Sequence, residues 1–582
     1  MAEWKLLRIG ADYENLSSKF GHDPLVMRII RNRGYETEAE MAAFLQGDEN
    51  AFDVTDGFAG MEEAVSLLEK IKDSGKNIRV IGDYDIDGIC ATAILVKGLR
   101  TFGLQADYAI PHRMEDGYGL SVSLIERAKE DGIGAVITCD NGIAAHDAVR
   151  LAKEYGMDII VTDHHEIMKA EGDEMKENLP PADAIVNPKR AENRLAFREL
   201  CGAMVAYKVI SRLLGFAVHK EHPLREELLM FAAFATIGDI MPLQKENRTL
   251  VKTGLRLLSD KPSCGLRCLI EETGLLGKEI KAYHVGFVLG PCLNATGRLD
   301  TAERALELLL TDNMDTAREI AISLKRMNEV RKELTAQGEE TAIRMLEERS
   351  DAMDKVLVVF LPDTHESVAG IIAGRLKERF YKPAIVFTPA REGIKGSGRS
   401  VAEYDMYENL WEVRDLFTKF GGHKMAAGIS MQEEHLEPLR MRLNEMAKEL
   451  SFEQVISIDA DMPFGYVSKT LLEDLECLEP FGSGNARPVF AQREVSFLSE
   501  HRFGADGKYA SYRVKDRNGT EVELKYFGDV EALHRYVEEK FGASAMTAFY
   551  AGTPFSLSVI YQPELNTFRG TTSVQFRLSQ YK

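Results

Sequence analysis

Ile78-Arg79-Val80-Ile81-Gly82-Asp83-Tyr84-Asp85-Ile86-Asp87-Gly88 is the stretch from which the rest of the chain can be read. Ile78–Ile81 has the apolar, β-branched character of a buried strand. Three aspartates follow at every second position, and residues 90–102 continue as an apolar helical run. Strand, acidic turn and helix in that order are the start of a crossover unit. The alternation continues downstream: residues 106–110 extended, 121–130 helical, 135–138 extended, 146–155 helical, Asp158–Thr162 extended, with Ala184–Val186 as a further candidate strand. Such a series predicts a parallel sheet covered by helices on both faces.

Outward from this unit the character changes three times. The first 55 or so residues read as a helical extension, and the α/β pattern occupies residues 56–265. Residues 266–350 are mostly helical, and 302–348, rich in Glu, Lys, Arg, Leu and Met, suit a long connecting helix or a helix pair. A second α/β unit fills residues 351–450, with strands at 355–360 and 383–387 around a helix at 367–380, and a closing helix at 435–450. From 451 to 582 short β-type runs dominate, at 489–492, 510–515, 521–527 and 568–578, with Asp516-Arg517-Asn518-Gly519 as a hairpin turn. Composition alone suits an OB-type barrel and a β-sandwich equally. The fold class expected is therefore multidomain α/β with a C-terminal β domain.

The acids are where chemistry is expected. Three strands each lead into an aspartate: Asp83, Asp140 and Asp163. Ligands of parallel α/β sheets bind outside the carboxyl ends of the strands, so these acids share one rim. Asp83, Asp85 and Asp87 would repel one another in a small space unless a cation neutralised them, although Asp and Gly also favour a plain solvated turn. Asp163-His164-His165-Glu166 adds imidazole to carboxylate, a mixture that suits Mn²⁺. Asp239 closes the apolar run Phe234-Ala235-Thr236-Ile237-Gly238, where a simple helix cap is the alternative reading. Together these residues suit two cations about 3.5–4 Å apart, the arrangement of hydrolytic phosphoryl chemistry. Neither a Gly-x-Ser-x-Gly nucleophile motif nor a Walker-type phosphate loop competes with them.

The bulk numbers narrow the classes. The 582 residues exceed what one core usually supports. A net charge of −20 argues against indiscriminate coating of nucleic acid, but leaves room for a locally basic groove, for which residues 395–399 and 419–424 are the candidates. No run approaches the ~18 apolar residues of a membrane span, and the N-terminus lacks the apolar core of a secretory signal. No membrane association and a cytoplasmic location are expected. The seven cysteines are odd in number and scattered, which predicts reduced, mostly buried thiols.

The acidic segments, Asp83-Tyr84-Asp85-Ile86-Asp87-Gly88, Asp140-Asn141-Gly142, Asp163-His164-His165 and Gly238-Asp239, resemble the four motifs of the DHH phosphoesterase superfamily. Gly290-Pro291-Cys292-Leu293-Asn294-Ala295-Thr296-Gly297-Arg298 resembles the motif of its RecJ branch. Gly421-Gly422-His423 resembles the DHHA1 signature, and Pro480-Phe481-Gly482-Ser483-Gly484-Asn485 the entry to the RecJ OB domain. The resemblance runs in order from about residue 50 to the C-terminus. It implies a DHH domain with a parallel sheet, a long connecting helix, a DHHA1 α/β domain and an OB-type barrel. It implies two divalent metal ions, Mn²⁺ or Mg²⁺, held by Asp85, Asp87, Asp140, His164 and Asp239, with Asp140 bridging. Asp83 would be a ligand or close support, and His165 would face the scissile phosphate. Arg113, Arg298, Ser397 and Arg399 would grip a 5′-terminal phosphate, with Gly421, Gly422 and His423 on the DNA path.

The activity implied is 5′-to-3′ exonucleolytic hydrolysis of single-stranded DNA to 5′-mononucleotides in recombination and repair. Implied partners are single-stranded DNA with a 5′-phosphate, a single-stranded-DNA-binding protein and a RecQ-type helicase. Two positions depart from the family pattern. Ile86 replaces a more usual alanine, which should alter packing only. Cys292 stands where an arginine is common, which puts one DNA contact in doubt. The rivals are a nanoRNase, cyclic-dinucleotide phosphodiesterase or pyrophosphatase of the same superfamily, which lack the β domain, and an inactive scaffold relative, which would lack the carboxylates kept here.

Overall fold

The computed structural model describes residues 2–112, 119–170, 173–299, 301–348, 354–568 and 571–582. The chain divides into two compact units: one of residues 49–241 and 249–454, the other of residues 1–48, 242–248 and 455–582.

In the first unit five parallel strands form one sheet: β1 (Ile78–Ile81), β2 (Ala106–Ala109), β3 (Ala135–Cys139), β4 (Asp158–Thr162) and β5 (Ala184–Val186), in the order β2-β1-β3-β4-β5. The chain leaves β1 for β2 on one side and returns to β3 on the other, so the topological switch lies between β1 and β3. That is where a doubly wound sheet opens a crevice, and Asp83 and Asp140 stand at its two lips.

The helix after β1, α1 (Ile86–Phe102), starts four residues earlier than its apolar run suggests. Asp85 supplies the N-cap, its carboxylate accepting the Asp87 and Gly88 N–H groups at 3.0 and 3.2 Å. Residues 86–96 are all buried, as expected for a helix enclosed on every side. It packs against the sheet and against α2 (Gly202–Leu214) and α3 (Pro223–Gly238).

Residues 302–348 form two helices, Glu303–Leu310 and α4 (Met314–Glu348). At 1.5 Å per residue α4 is about 50 Å long. Its buried residues, including Ile320, Leu324, Asn328, Thr335, Ala342 and Leu346, recur at four- and seven-residue intervals, one face of the helix. Its first half packs on Cys264–Glu272 and Gly290–Leu299, and its second on α5 (Glu366–Phe380). The second sheet contains β6 (Leu357–Phe360), β7 (Ala384–Pro389), β8 (Ile394–Arg399), β9 (Phe417–His423) and β10 (Ala426–Met431), ordered β9-β10-β8-β7-β6. Only the β6–β7 pair, joined through α5, is parallel.

The other unit is built on a closed barrel. β11 (Ala460–Asp461), β12 (Phe490–Phe503), β13 (Tyr509–Lys515), β14 (Glu521–Tyr526), β15 (Phe555–Phe568) and β16 (Thr571–Tyr581) lie in the order β11-β12-β13-β14-β16-β15, and β12 pairs with β15 to close the ring. Closure decides for the OB type over an open sandwich. The Asp516–Gly519 turn joins β13 to β14 as expected, with the Asp516 N–H donating to the Thr520 carbonyl at 3.0 Å. β15 is the strand that composition misses, because Pro563 interrupts it. Its pairing with β12 ends at Tyr561, so the proline falls where the strand has left its second neighbour.

The N-terminal stretch corrects the expectation of a purely helical extension. Glu3–Leu6 is a strand paired in parallel with Val455–Ile458, and helices follow only from Tyr13. Residues 242–248 belong to this unit through Arg248. Its guanidinium lies 3.8 Å from the Phe44 ring centre and donates to the carbonyls of Phe44, Cys477 and Leu478 at 3.2, 2.8 and 2.9 Å. Among the described residues, which include all seven cysteines, no disulfide occurs, and no helix is long and apolar enough to cross a membrane.

The barrel carries one buried charge network. Glu500 on β12 accepts from His534 Nε2 at 2.7 Å and Arg502 Nε at 2.6 Å. Burial alone would raise its pKa, but His534, Arg502 and Tyr512 overcome that and lower it from 4.5 to about 2. A carboxylate with a depressed folded-state pKa stabilises fully above its unfolded pKa, and that contribution is lost as pH falls through the folded value. The wild-type protein should therefore lose stability between about pH 4.5 and pH 2 through this group. Glu500→Gln should lower the melting temperature at pH 7 and shrink the wild-type-to-variant gap as pH falls. A gap independent of pH would show that the network does not act through ionised Glu500.

Candidate functional site

Four separate segments bring carboxylates and imidazoles to the rim at the β1–β3 switch. Asp83, Asp85 and Asp140 each place an oxygen within 4.8 Å of the others. So do the ligand atoms of Asp140, His164 and His165, and those of Asp87, His164 and Asp239. His164 is the hub: its Nε2 lies 3.1 Å from Asp140 Oδ1, 3.6 Å from Asp87 Oδ2 and 3.8 Å from Asp239 Oδ2. The fold thus gathers all seven residues expected of the metal and catalytic site.

Backbone groups and backbone conformation place several of these acids. Asp87 points its two oxygens at the N–H groups of Gly202 and Ala203, at 2.6 and 2.7 Å, and so caps the N-terminus of α2. Asp140 follows β3 with φ +61°, the left-handed conformation that few side chains adopt. Gly202 is required beside it, since a Cβ there would sit 2.7 Å from Asp140 Cβ. Asp239 is the C-cap of α3. Asp163 is a member the sequence reading left without a role. It accepts N–H groups from Ile143, His164 and His165, and its Oδ1 lies 2.7 Å from His165 Nδ1. That bond orients the half-exposed His165 ring, whose Nδ1 is 4.0 Å from Asp140 Oδ1.

Electrostatics mark the cluster as a cation site. Burial first, and then the facing charges of Asp87, Asp85, Asp83 and Asp163, push Asp140 well above the usual carboxylate range. Burial and Asp87 raise Asp85. Burial, Asp87 and Asp85 carry Asp239 to about 8. Asp163 behaves oppositely: burial would raise it, but His165 and the surrounding N–H groups hold it below the ordinary range. Acids that repel one another in a buried space become compatible once a divalent cation replaces their protons. The donor set, mainly carboxylate oxygen with imidazole, suits Mn²⁺ and Mg²⁺. Asp83, Asp85, Asp87, Asp140, His164 and Asp239 could hold such ions.

The helical segment that resembles the RecJ motif packs on this loop. Ile86 fills the space beside Gly238 and Gly290, where a Cβ would come within 2.5 and 2.9 Å of its side chain. Ile86 thus acts in packing, as expected. Cys292 is buried, with Asn328 Nδ2 at 3.4 Å from its sulfur, so this position faces α4 rather than a ligand.

A second set of polar groups converges on the first turn of α5. Arg298 Nη1 donates to the Ser367 carbonyl at 2.9 Å. A Cβ on Gly370 would lie 3.0 Å from Arg399 Nη2 and 3.3 Å from Ser397 Oγ. Two arginines and a hydroxyl thus gather near the N-terminal end of α5, an arrangement whose chemistry suits an anion, with the Glu366 carboxylate in the same turn. Strand register brings the glycine signature alongside. Ser397, Gly398 and Arg399 pair with Gly428, Ala427 and Ala426, which pair in turn with Gly421, Gly422 and His423. The rows Gly398–Ala427–Gly422 and Ser397–Gly428–Gly421 thus carry only small side chains beside Arg399 and His423. The basic stretch 395–399 is partly neutralised, since Lys395 Nζ lies 3.5 Å from Glu366 Oε2. Arg113 lies outside the described residues.

Comparison with known proteins agrees with this architecture. Residues 77–236 match the DHH family, N-terminal domain, residues 353–449 the DHHA1 domain, and residues 458–580 the RecJ OB domain. The chain is 35% identical over 493 residues to the single-stranded-DNA-specific exonuclease RecJ of Salmonella typhimurium, covering 81% of this chain and 83% of that one. It is 30% identical to the Haemophilus influenzae RecJ, covering 96% of both. It is 34% identical to the Bacillus subtilis RecJ, covering 88% of this chain but 64% of that longer protein. Among solved structures, Thermus thermophilus RecJ in complex with Mn²⁺ superposes with a TM-score of 0.81 at 28% identity, covering 100% of this chain and 79% of that one. With three matched domains in chain order and relatives at 30–35% identity over most of both chains, the chain belongs to the RecJ family.

Proposed function

We propose that this protein is a metal-dependent exonuclease that hydrolyses single-stranded DNA from its 5′ end and releases 5′-mononucleotides. The observation that carries the reading is the pairing of two sites within one unit: a carboxylate–imidazole cluster suited to divalent cations, and an anion site at the N-terminus of α5. The first suits hydrolysis of a phosphodiester. The second suits a terminal phosphate, which is what separates an exonuclease from an endonuclease.

Two divalent ions held by Asp85, Asp87, Asp140, His164 and Asp239, with Asp140 between them and Asp83 in close support, would supply the charge stabilisation that phosphoryl transfer requires. The protein's own part is positional. The α1 and α2 N-termini fix Asp85 and Asp87, and Asp163 fixes the His165 ring toward the cluster. Burial would lower the proton affinity of His165, but partnership with Asp163, and the charges of Asp87 and Asp239 behind it, outweigh that and raise its pKa to about 9. A protonated His165 can donate a hydrogen bond to a phosphate oxygen. Arg298, Ser397 and Arg399, with Arg113, would hold the 5′-phosphate. The small-residue rows beside Arg399 and His423 would leave room for a sugar-phosphate backbone. The barrel would bind single-stranded DNA, in the manner of OB folds. Roles in recombination and repair, with a helicase and a single-strand-binding protein upstream, fit an enzyme that consumes only unpaired strands.

Strands labelled at either end, single or duplex, incubated with Mn²⁺, Mg²⁺ or EDTA, test the reading. Mononucleotides should appear only with metal and only from the 5′ end of single strands. Release from the 3′ end, or activity confined to short RNA or cyclic dinucleotides, would overturn it. Asp140→Ala should reduce cleavage below a few per cent of wild type, and appreciable residual turnover would remove Asp140 from the centre of the site. Arg399→Ala should raise KM for 5′-phosphorylated strands by roughly tenfold or more, the worth of a hydrogen bond to a charged group, while 5′-hydroxyl strands change little. Equal loss on both ends would deny Arg399 its phosphate.

A further inference from the structure

The last turn of α3 ends in a way its own packing does not require. The Ile240 N–H donates to the Ile237 carbonyl at 3.2 Å and the Met241 N–H to the Thr236 carbonyl at 3.1 Å. This is a Schellman termination, whose left-handed position is ordinarily glycine. Here it is Ile240, at φ +58°. A β-branched side chain in that conformation is strained, and burial does not compensate, because Ile240 is 74% exposed. It directly follows Asp239.

A second apolar feature lies against the same turn. Tyr283 and Phe287 are 64% and 66% exposed, four residues apart, with ring centres 5.0 Å apart and planes 25° apart. Between them Gly286 approaches α3 closely enough that a Cβ would lie 3.7 Å from Ile237 Cγ2. The backbone at Val285–Leu289 is wound as a π-helix, a form that concentrates at functional sites. The same helical segment continues past Gly290, which rests on Ile86 of the acidic loop, to Gly297 beside the Tyr84 carbonyl and then to Arg298.

We propose that Ile240, Tyr283 and Phe287 form an apolar shelf beside the acid cluster on which a nucleobase of the bound strand stacks. The inference rests on the single-strand exonuclease reading and specifies where that strand's bases go. Three uncharged side chains, two of them flat rings, offer a base a stacking surface with no means of reading its identity. The shelf adjoins the residue closing the cluster, so the base it takes belongs to a nucleotide next to the scissile phosphate. In a duplex every base face is already stacked on its neighbours, so the shelf also favours single strands.

The test uses the full-length protein and 5′-phosphorylated single strands carrying 2-aminopurine at successive positions, with Ca²⁺ present to support binding. Fluorescence should be quenched at one or two adjacent positions near the 5′ end. Phe287→Ala and Tyr283→Ala should abolish that quenching and, with Mn²⁺, raise KM for strand hydrolysis roughly tenfold, the order expected for loss of a stacked base, with a smaller effect on kcat. Ile240→Gly should weaken the quenching too, while its melting temperature stays at or above wild type because glycine tolerates the left-handed turn. Persistent quenching in Phe287→Ala, a fall in kcat with KM unmoved, or a change of oligomeric state in these variants would overturn the shelf. Failure of the wild-type protein to bind or cleave single strands would instead overturn the exonuclease reading. Normal cleavage with no position quenched would overturn the shelf alone.

Discussion

Asp85, Asp140 and Asp239 hold protons more tightly than free carboxylates do, because they are buried and face Asp87. Two like charges 4 Å apart repel by about 4 kcal/mol at an effective dielectric of 20, and oxygens of Asp83, Asp85 and Asp140 lie within 4.8 Å of one another. The surrounding fold can be understood as what keeps these groups together despite that repulsion. Asp85 sits on the N-terminus of α1 and Asp87 on that of α2, so the positive ends of two helix dipoles serve the same small volume. Asp140 is kept in a left-handed backbone conformation with only a glycine opposite it. The parallel sheet contributes the rim, and the switch between β1 and β3 contributes the crevice.

The remainder of the first unit connects that centre to the arginine pair at α5. The helical segment carrying Gly290 and Gly297 lies on the acidic loop, then delivers Arg298 to the first turn of α5. β8 delivers Ser397 and Arg399 to the same turn from the opposite side. α4 packs on both halves, so the distance between the acid cluster and the Arg298–Arg399 pair is set by a helix rather than by a loop. Sites on rigid elements hold their geometry better than sites on loops, and the proposed chain-end-specific hydrolysis would need that distance fixed.

Much of this was legible because the signals are local. Strands ending in Asp83, Asp140 and Asp163 declare a rim in any parallel sheet, and the ordered motifs locate the two α/β units and the barrel. Other features were hidden because their cause is distant. Nothing in Cys201-Gly202-Ala203 signals that its N–H groups serve Asp87, more than a hundred residues upstream. Asp163 reads as one more rim acid, yet its buried carboxylate orients His165. Gly396-Ser397-Gly398 lacks β propensity and reads as a basic loop, although it is a strand aligned through β10 with Gly421–His423. Cys292 reads as an altered ligand contact and is instead a packing residue against Asn328.

The central claim is that this acid cluster exists to hold two divalent ions with Asp140 between them. Equilibrium binding of Mn²⁺ to the metal-free protein, with electron paramagnetic resonance of the loaded state, addresses it most directly. Two ions per chain with the spectrum of an exchange-coupled pair, and loss of that coupling in Asp140→Ala, is the result the account predicts. A single bound ion, or two ions that remain magnetically independent in the wild-type protein, would contradict it.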